Sequence, residues 1–457
     1  MKTILTINIF IFTVILFAVV LFFSTSTVIA QQTTENNSQI IEKLRLRLDS
    51  LETQLNEINA NQQSDSINLK YDELKLRQLD IFKVIPQDVL TRRLIENLEF
   101  GGFVIASDST RINVGGLIIG NAFQDFREMN SENYFAISEI PINSGNRFRT
   151  RFDVSNSRFY INSIVKTTSA MNYKTRFEFD LFNASGAYGF NLRHAFAQFG
   201  RFGIGYTYSN FMNVDISPNG IDLGGASGEV GRKQTQVQYI RPLSEKMRFA
   251  ISLEDGQGNL LLNDGIIGST RAGPDLVSNF RYRIQNSSTA HIQLAAVIHP
   301  VNYKPVSHSV KGDFGWGVNL CGSFDVGKSK DHLSWQFAYT KGASKYINDP
   351  IAAYDAIVNL ELNKIDLIEL YNGYIYYHHR WSNSFASNVG YSFVTGNKNQ
   401  YSSEEQTKIG HYASANLIYY PNNKVAFGIE SIWGTRKCIG GKSTFNSRLQ
   451  LQAMFAF

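Results

Sequence analysis

From Arg111 to the C-terminus, apolar and polar side chains alternate with a period of two. Phe177, Phe179 and Leu181 interleave with Arg176, Glu178 and Asp180; Phe249, Ile251 and Leu253 interleave with Arg248, Ser252 and Glu254. Leu333, Trp335, Phe337 and Tyr339 interleave with Ser334, Gln336 and Ala338. A strand sends successive side chains to opposite faces, so each segment carries one greasy face and one more polar face. The last segment, Thr444 to Phe457, sets Phe457, Phe455, Ala453, Leu451, Leu449 and Phe445 against Ala456, Met454, Gln452, Gln450, Arg448 and Asn446. A half-buried strand of a soluble sandwich can read this way. Repeated along the chain, at lengths near the roughly 9–11 residues that cross a bilayer at a tilt, the pattern predicts an all-β transmembrane barrel.

About sixteen strands are expected, the number of a porin with an aqueous channel. They fall near 110–124, 147–166, 171–183, 190–198, 202–210, 232–240, 246–255, 276–286, 289–299, 314–327, 330–341, 367–381, 384–395, 407–420, 424–433 and 444–457. The 147–166 segment changes phase between Val154 and Phe159, which calls for a bulge or a break. The connections alternate in length. Short ones lie at 167–170, 241–245, 286–288, 327–331, 382–384 and 421–423; long ones lie at 125–146, 211–231, 256–275, 300–313, 342–366, 396–406 and 434–443. Short turns on one side and long loops on the other are the expected asymmetry of an outer-membrane barrel. Tyr374, Tyr376, Tyr377, Trp381, Tyr391, Tyr419, Tyr420 and Trp433 gather near strand ends, where interfacial girdles sit.

The first hundred residues follow other rules. Lys2, an apolar run from Ile4 to Phe23 and the stretch ending Val28-Ile29-Ala30 read as a signal peptide, residues 1–30. A retained transmembrane helix is the competing reading, and the small residues before Gln31 favour cleavage. Ile41, Leu44, Leu48, Leu51, Leu55 and Ile58 then repeat at steps of three and four, a heptad seam within residues 31–63. Three heptads make a weak coiled coil, so an oligomerisation helix supported by a larger body is expected, against a single amphipathic helix lying on the barrel. Residues 64–109 read as a partly helical periplasmic connector, and 110–457 as the barrel.

Charge narrows the function. The chain carries +5 overall, while residues 111–457 hold 34 basic and 26 acidic residues. A charge facing lipid at the membrane midplane costs about 2–4 kcal/mol, so strand charges should face the lumen or the rims. Candidate pore-lining residues are Arg147, Arg149, Arg151, Arg158, Lys166, Arg176, Arg193, Arg281, Arg283 and Arg448. Arg147, Arg149 and Arg151 repeat at the strand period, a basic ladder about 6–7 Å per step if all three face inward. A lumen lined by Arg favours anions. The alternatives are that these Arg pair with Asp153, Glu178, Asp180 and Glu254, or that the first of them sit at the outer rim. The long Gly-rich segment Phe211–Gly231 follows the fifth strand, where the corresponding loop of trimeric porins folds inward and narrows the pore; that likeness implies the same role here, with Asp215, Asp222 and Glu229 facing the basic wall.

The chain is rich in aromatics, 33 Phe and 22 Tyr, at a mean hydropathy of only −0.18, which fits a wet lumen. Two cysteines, Cys321 and Cys438, exclude a Cys-built metal site, and His378-His379 point to opposite faces of a strand. No nucleophile signature accompanies the histidines, no cofactor is implied, and the modest charge gives no nucleic-acid module. An active transporter of about 22 strands with a plug needs a longer chain. A structural or adhesion barrel with a closed pore remains the alternative to a porin.

The segments GGFVIASDSTRINVGG, NSRFY, RHAFAQFG, TYSNFMNVDISPNGIDLGGASGEVG and QVQYIRP together resemble the DcaP-like trimeric outer-membrane porins, most strongly from Arg147 to Pro242. The resemblance implies a sixteen-stranded homotrimer among outer-membrane lipids, N-terminal helices in the periplasm, and passage of small anionic organic solutes. It matches Arg158 and Arg193 to family positions. The terminal Phe457 resembles the end that barrel assembly machinery reads.

Overall fold

The structure, a computed structural model, describes residues 103–457 apart from 107–108, 144, 146, 166–171, 184, 263–266, 272, 285–288, 304–310, 328–330, 350–353, 360–363 and 398–402. The expected signal peptide, the coiled-coil seam and nearly all of the connector lie outside the described residues, as does Lys166.

The strands in chain order are β1 (Phe103–Ala106), β2 (Thr110–Asp125), β3 (Arg149–Asp153), β4 (Arg158–Val165), β5 (Tyr173–Asp180), β6 (Asn191–Phe199), β7 (Phe202–Tyr208) and β8 (Lys233–Pro242). There follow β9 (Met247–Glu254), β10 (Gly258–Leu262), β11 (Ile267–Thr270), β12 (Asp275–Arg283), β13 (His291–Tyr303), β14 (Lys311–Val326) and β15 (Asp331–Lys341). The rest are β16 (Ala356–Asn359), β17 (Lys364–Leu367), β18 (Glu369–Arg380), β19 (Phe385–Gly396), β20 (Thr407–Asn422), β21 (Val425–Cys438) and β22 (Ser443–Ala456).

Sixteen antiparallel wall strands close on themselves, with β3 and β4 counting as one interrupted strand along β2. Closure runs through β2 and β22, from Leu117 opposite Ala456 to Asp125 opposite Arg448. Phe457 completes the seam: its N–H donates to the Gly116 carbonyl and its carbonyl accepts from the Gly116 N–H, both at 3.1 Å. Beyond that point β1 takes over the same edge of β2, from Phe103 opposite Val114 to Ala106 opposite Arg111. A closed barrel leaves no open edge among the strands that meet lipid.

The phase change expected near Val154 is an insertion. Asp153 lies opposite Asn121 and Arg158 opposite Leu117, so four residues of this strand face three of β2. The extra residue flips the parity, and Arg149, Arg151, Arg158 and Tyr160 thereby share the inner face despite their odd and even numbers. A second irregularity skips Arg193 between β5 and β6. Two successive side chains, Arg193 and His194, are buried there on the inside.

Burial is inverted relative to a soluble protein. On β22, Leu451 is 49% exposed outward while Gln450 and Arg448 are 2% and 0% exposed inside. The long loops fill part of the interior and join its core. Phe135, Ile137 and Ile140 of the first loop (residues 126–148) pack with Tyr412 and Ile432. Phe211 and Val230 of the third loop (209–232) pack with Val277, Val297, Leu370 and Val394 from the wall and with Tyr346 and Ile347 of the sixth loop (342–368). Each such side chain contributes on the order of 1.5–3 kcal/mol when fully buried, which holds the loops against the wall.

Five short strands were not expected: β1, at the end of the stretch read as a partly helical connector, and four in the long loops. β10 and β11 in the fourth loop (255–274) and β16 and β17 in the sixth form a separate sheet, joined by parallel pairing of β10 with β16. Their brevity and lack of long alternation hid them within stretches read as loop. Cys321 and Cys438 are both buried and free.

The lumen and its constriction

The third loop folds into the barrel and is fastened by polar side chains of the inner wall. The Phe211 carbonyl accepts from Asn319 on β14 at 2.9 Å, and the Ile216 carbonyl from the Tyr374 hydroxyl on β18 at 3.1 Å. The Asn219 carbonyl accepts from Asn388 and Asn416 at 3.1 and 2.7 Å. The Gly228 carbonyl accepts from Gln336 and Asn372 at 3.0 and 2.8 Å. Buried backbone groups need partners, so a loop threaded through a barrel needs such a ladder of Asn, Gln and Tyr on the facing strands. Gly228 is where loop and wall come closest. A Cβ there would lie 2.2 Å from the Phe393 carbonyl oxygen and 2.6 Å from that of Gly373, so only glycine fits.

Three carboxylates tie the loops together and to the wall. Glu430 on β21 accepts from the amides of Ile221 and Asp222 at 2.6 and 2.9 Å. Asp222 in turn accepts from the Phe135 amide of the first loop at 3.1 Å and from Arg448 at 3.4 Å. Asp349 of the sixth loop accepts from the Ile137 amide at 2.6 Å and the Ser138 hydroxyl at 2.5 Å, and its own amide donates to the Ser227 carbonyl at 3.2 Å. First, third and sixth loops therefore form one interlocked body. Burial pushes the Asp222 carboxyl up to about 7, with Arg448 and the donated amides opposing and Glu430 adding to the rise. Burial likewise raises Asp349, against its several donors.

The anticipated basic residues among the described positions fall into five groups. Arg147 precedes β3 and is exposed. Arg149 and Arg151 do face inward, and both are engaged: Arg149 donates to Asp125 at 2.8 Å and to the Ser131 carbonyl at 2.6 Å, and Arg151 binds Glu132 and the Gly186 carbonyl, the latter at 2.8 Å. Arg448 grips Asp125 with two nitrogens at 2.6 and 3.1 Å and lies over the Phe123 ring at 4.4 Å. Arg158, Arg176 and Arg193 surround Glu178. Arg193 reaches Glu178 at 2.9 Å and Asp180 at 2.6 Å, Arg176 binds Glu178, and Arg158 lies 3.9 Å from it. Arg281 and Arg283 lie apart, on the inner face of β12 at the short-turn end.

Of the loop acids, Asp215 binds Arg281, Asp222 meets Arg448, and Glu229 accepts from Ser217. Each is held by its own partner, where the sequence suggested a row of acids facing one basic wall. Asp153 and Glu254, also expected beside Arg, accept instead from neighbouring amides and hydroxyls: Asp153 from Ser155, Glu254 from Asn210 and Ser252. His378 faces inward beside Asn388, and His379 faces outward against Asp331, as adjacent strand residues must.

Between loop and wall is a cavity of about 570 Å³. Arg158, Arg193, Arg232 and Lys233 line its wall side, and Asp222, Glu229 and Asp255 its loop side. Arg232 and Lys233 were not among the residues anticipated. Their signal was a basic pair directly after Gly231, where the inward loop returns to the wall. Glu430, Asp125 and Asp349 were missed as well, because nothing in local spacing shows which loop a wall carboxylate will meet. Lys233 lies over the Tyr208 ring at 4.7 Å. Arg232 has its Nε buried without a hydrogen-bond acceptor.

The sequence profile described as DcaP outer membrane protein matches residues 98–457. Among solved structures, the outer membrane channel DcaP of Acinetobacter baumannii superposes with a TM-score of 0.67 at 19% identity, covering 78% of this chain and all of that one. Salmonella typhi OmpF, in a complex with daunomycin, superposes with a TM-score of 0.52 at 10% identity, covering 78% of this chain and all of that one. Among curated proteins no sequence matches.

Proposed function

The chain belongs to the DcaP outer membrane protein family, and from that membership we propose that it is an open channel of porin type that passes small anionic solutes by passive diffusion. The observation that carries the anion preference is the uneven charge around the cavity. On its wall side Arg158, Arg193, Arg232 and Lys233 converge, and the nearby Glu178 and Asp180 are shared among three arginines. On its loop side stand Asp222, Glu229 and Asp255, of which Asp222 lies 3.4 Å from Arg448 and Asp255 3.7 Å from Arg271. An anion in the cavity therefore meets four basic side chains against three acidic ones, two of which lie beside arginines outside the lining. Fixed charge in a low-dielectric cleft focuses its field on the solute, and Arg replaces part of an anion's hydration with paired N–H donors. Binding stays weak, since a tightly held solute blocks its own exit.

The trimer is part of the same proposal. The heptad seam Ile41–Ile58 is suited to oligomerisation, and three heptads alone are marginal, so the barrel walls carry most of the contact. Outer-membrane residence, with the N-terminal segment in the periplasm and short turns on that side, follows the family and the signal-peptide reading. Planar-bilayer recording tests the function. Ohmic steps with a reversal potential on the anion side support it; a barrel that conducts nothing points to the structural alternative.

A further inference from the structure

At the short-turn end of the lumen, on the side of the inward loop away from the cavity's basic lining, two inward arginines stand side by side. Arg248 on β9 and Arg281 on β12 are directly opposite in register. Both share the inner face, since Ala250, Ser252 and Glu254 of β9, and Val277 and Asn279 of β12, are buried at the same parity. Arg283 follows Arg281 on that face, at the mouth.

Their partners differ. Arg281 is held by Asp215, by the Asn213 side chain at 2.5 Å and by Gln293 at 3.0 Å. Arg248 faces like charge: its charged neighbours are Arg281 and Arg283. Its Nε is buried with no acceptor. Among the described residues, three guanidinium groups thus share this end of the lumen with the Asp215 carboxylate, and the buried Arg248 Nε meets no protein acceptor. Like charges on neighbouring strands repel, and an unmet buried donor is costly, so an anion between the arginines would relieve both.

We propose that Arg248, Arg281 and Arg283 form a second anion station, distinct from the constriction, that takes a compact doubly charged oxyanion. The planar guanidinium forks of Arg248 on β9 and Arg283 on β12 offer paired N–H donors, which suit an anion with several oxygens better than a spherical monovalent ion. Asp215 keeps Arg281 extended and leaves Arg248 and Arg283 to supply the attraction. The station rests on the channel reading only in that the anion must reach the lumen.

The test is current block in planar bilayers, with chloride as charge carrier and sulfate or malonate added to one side at a time. A saturating block, stronger from the short-turn side, is expected, with apparent affinity at least fivefold weaker in Arg248→Gln and mostly kept in Arg248→Lys. Sulfate as the better blocker assigns a tetrahedral oxyanion, and malonate a dicarboxylate. Calorimetric titration of the folded wild-type and Arg248→Gln proteins in detergent with the same two anions gives an independent reading, and heat-modifiable migration verifies that the variant is folded. Absence of saturation in the wild type, or equal affinity in Arg248→Gln, overturns the station. Ion selectivity in plain potassium chloride is a separate measurement, so a cation-selective channel would defeat the proposed function without deciding this point.

Discussion

Glu430 and Ile221 are 209 residues apart in the chain, yet the Glu430 carboxylate accepts the Ile221 amide at 2.6 Å. The same oxygen takes the amide of Asp222 at 2.9 Å. With Asn388, Asn416 and Arg448, this side chain holds the tip of the inward loop against the wall.

Replacing Glu430 with Ala leaves two buried amides without an acceptor, at about 1–3 kcal/mol each. The loop tip should detach while the barrel stays closed. Single-channel recordings should show larger and noisier conductance, with heat-modifiable migration of the barrel unchanged. Unaltered conductance would mean that the tether does not shape the passage.

Gly228→Ala has the opposite sense. The added Cβ lands on the carbonyl oxygens of Phe393 and Gly373, both backbone atoms that cannot yield. The loop must move away from the wall and into the cavity, so conductance should fall. A variant that conducts as the wild type does would show that the loop is not seated this tightly.

The pH dependence follows from Asp222. Its carboxyl is raised to about 7 by burial, above the roughly 3.9 of an exposed Asp. A raised acid is stabilised in the folded loop by its protonated form, so its ionisation destabilises that form. The contribution is fully present below the unfolded value and is lost as pH rises through about 7. Backbone amides of residues 221–230 should exchange more slowly at pH 5 than at pH 8, after correction for intrinsic rates. Asp222→Asn should remove most of that difference, and an unchanged difference in the variant would assign it elsewhere.

The seam gives a fourth prediction. A Cβ on Gly116 would lie 2.5 Å from both the Arg158 carbonyl oxygen and the Phe457 ring. Gly116→Val should therefore disrupt closure of β2 on β22, and deletion of Phe457 should remove both hydrogen bonds to Gly116. Either change should lower the yield of heat-modifiable barrel in the outer membrane. Normal yield of both variants would contradict a closing role for this contact.

The strand order was legible because alternation marks which residues share a face, and even the slip near Val154 appears as a change of phase. The inward loop was legible from its length, its glycines and its place after the fifth strand. Its fastenings were not. Which wall residue meets Ile221 or Asp222 depends on the stagger of strands around the barrel, and periodicity within one strand carries no record of that stagger. Arg193 shows the same limit, since its inward direction depends on the irregularity against β5. The small sheet of β10, β11, β16 and β17 escaped because strands of four or five residues are too short to display a period.

The central claim is that the basic side of the constriction selects anions. Arg232 and Lys233 line the cavity without belonging to the Glu178 cluster, so neutralising them spares the network that holds Arg158, Arg176 and Arg193. The decisive measurement is the reversal potential across a potassium chloride gradient, wild type against Arg232→Gln/Lys233→Gln, at a salt concentration where rim charges are screened over less than about 10 Å. The wild type should be anion-selective and the double variant shifted toward cations. A wild type that prefers cations, or a double variant with the wild-type reversal potential, contradicts the account.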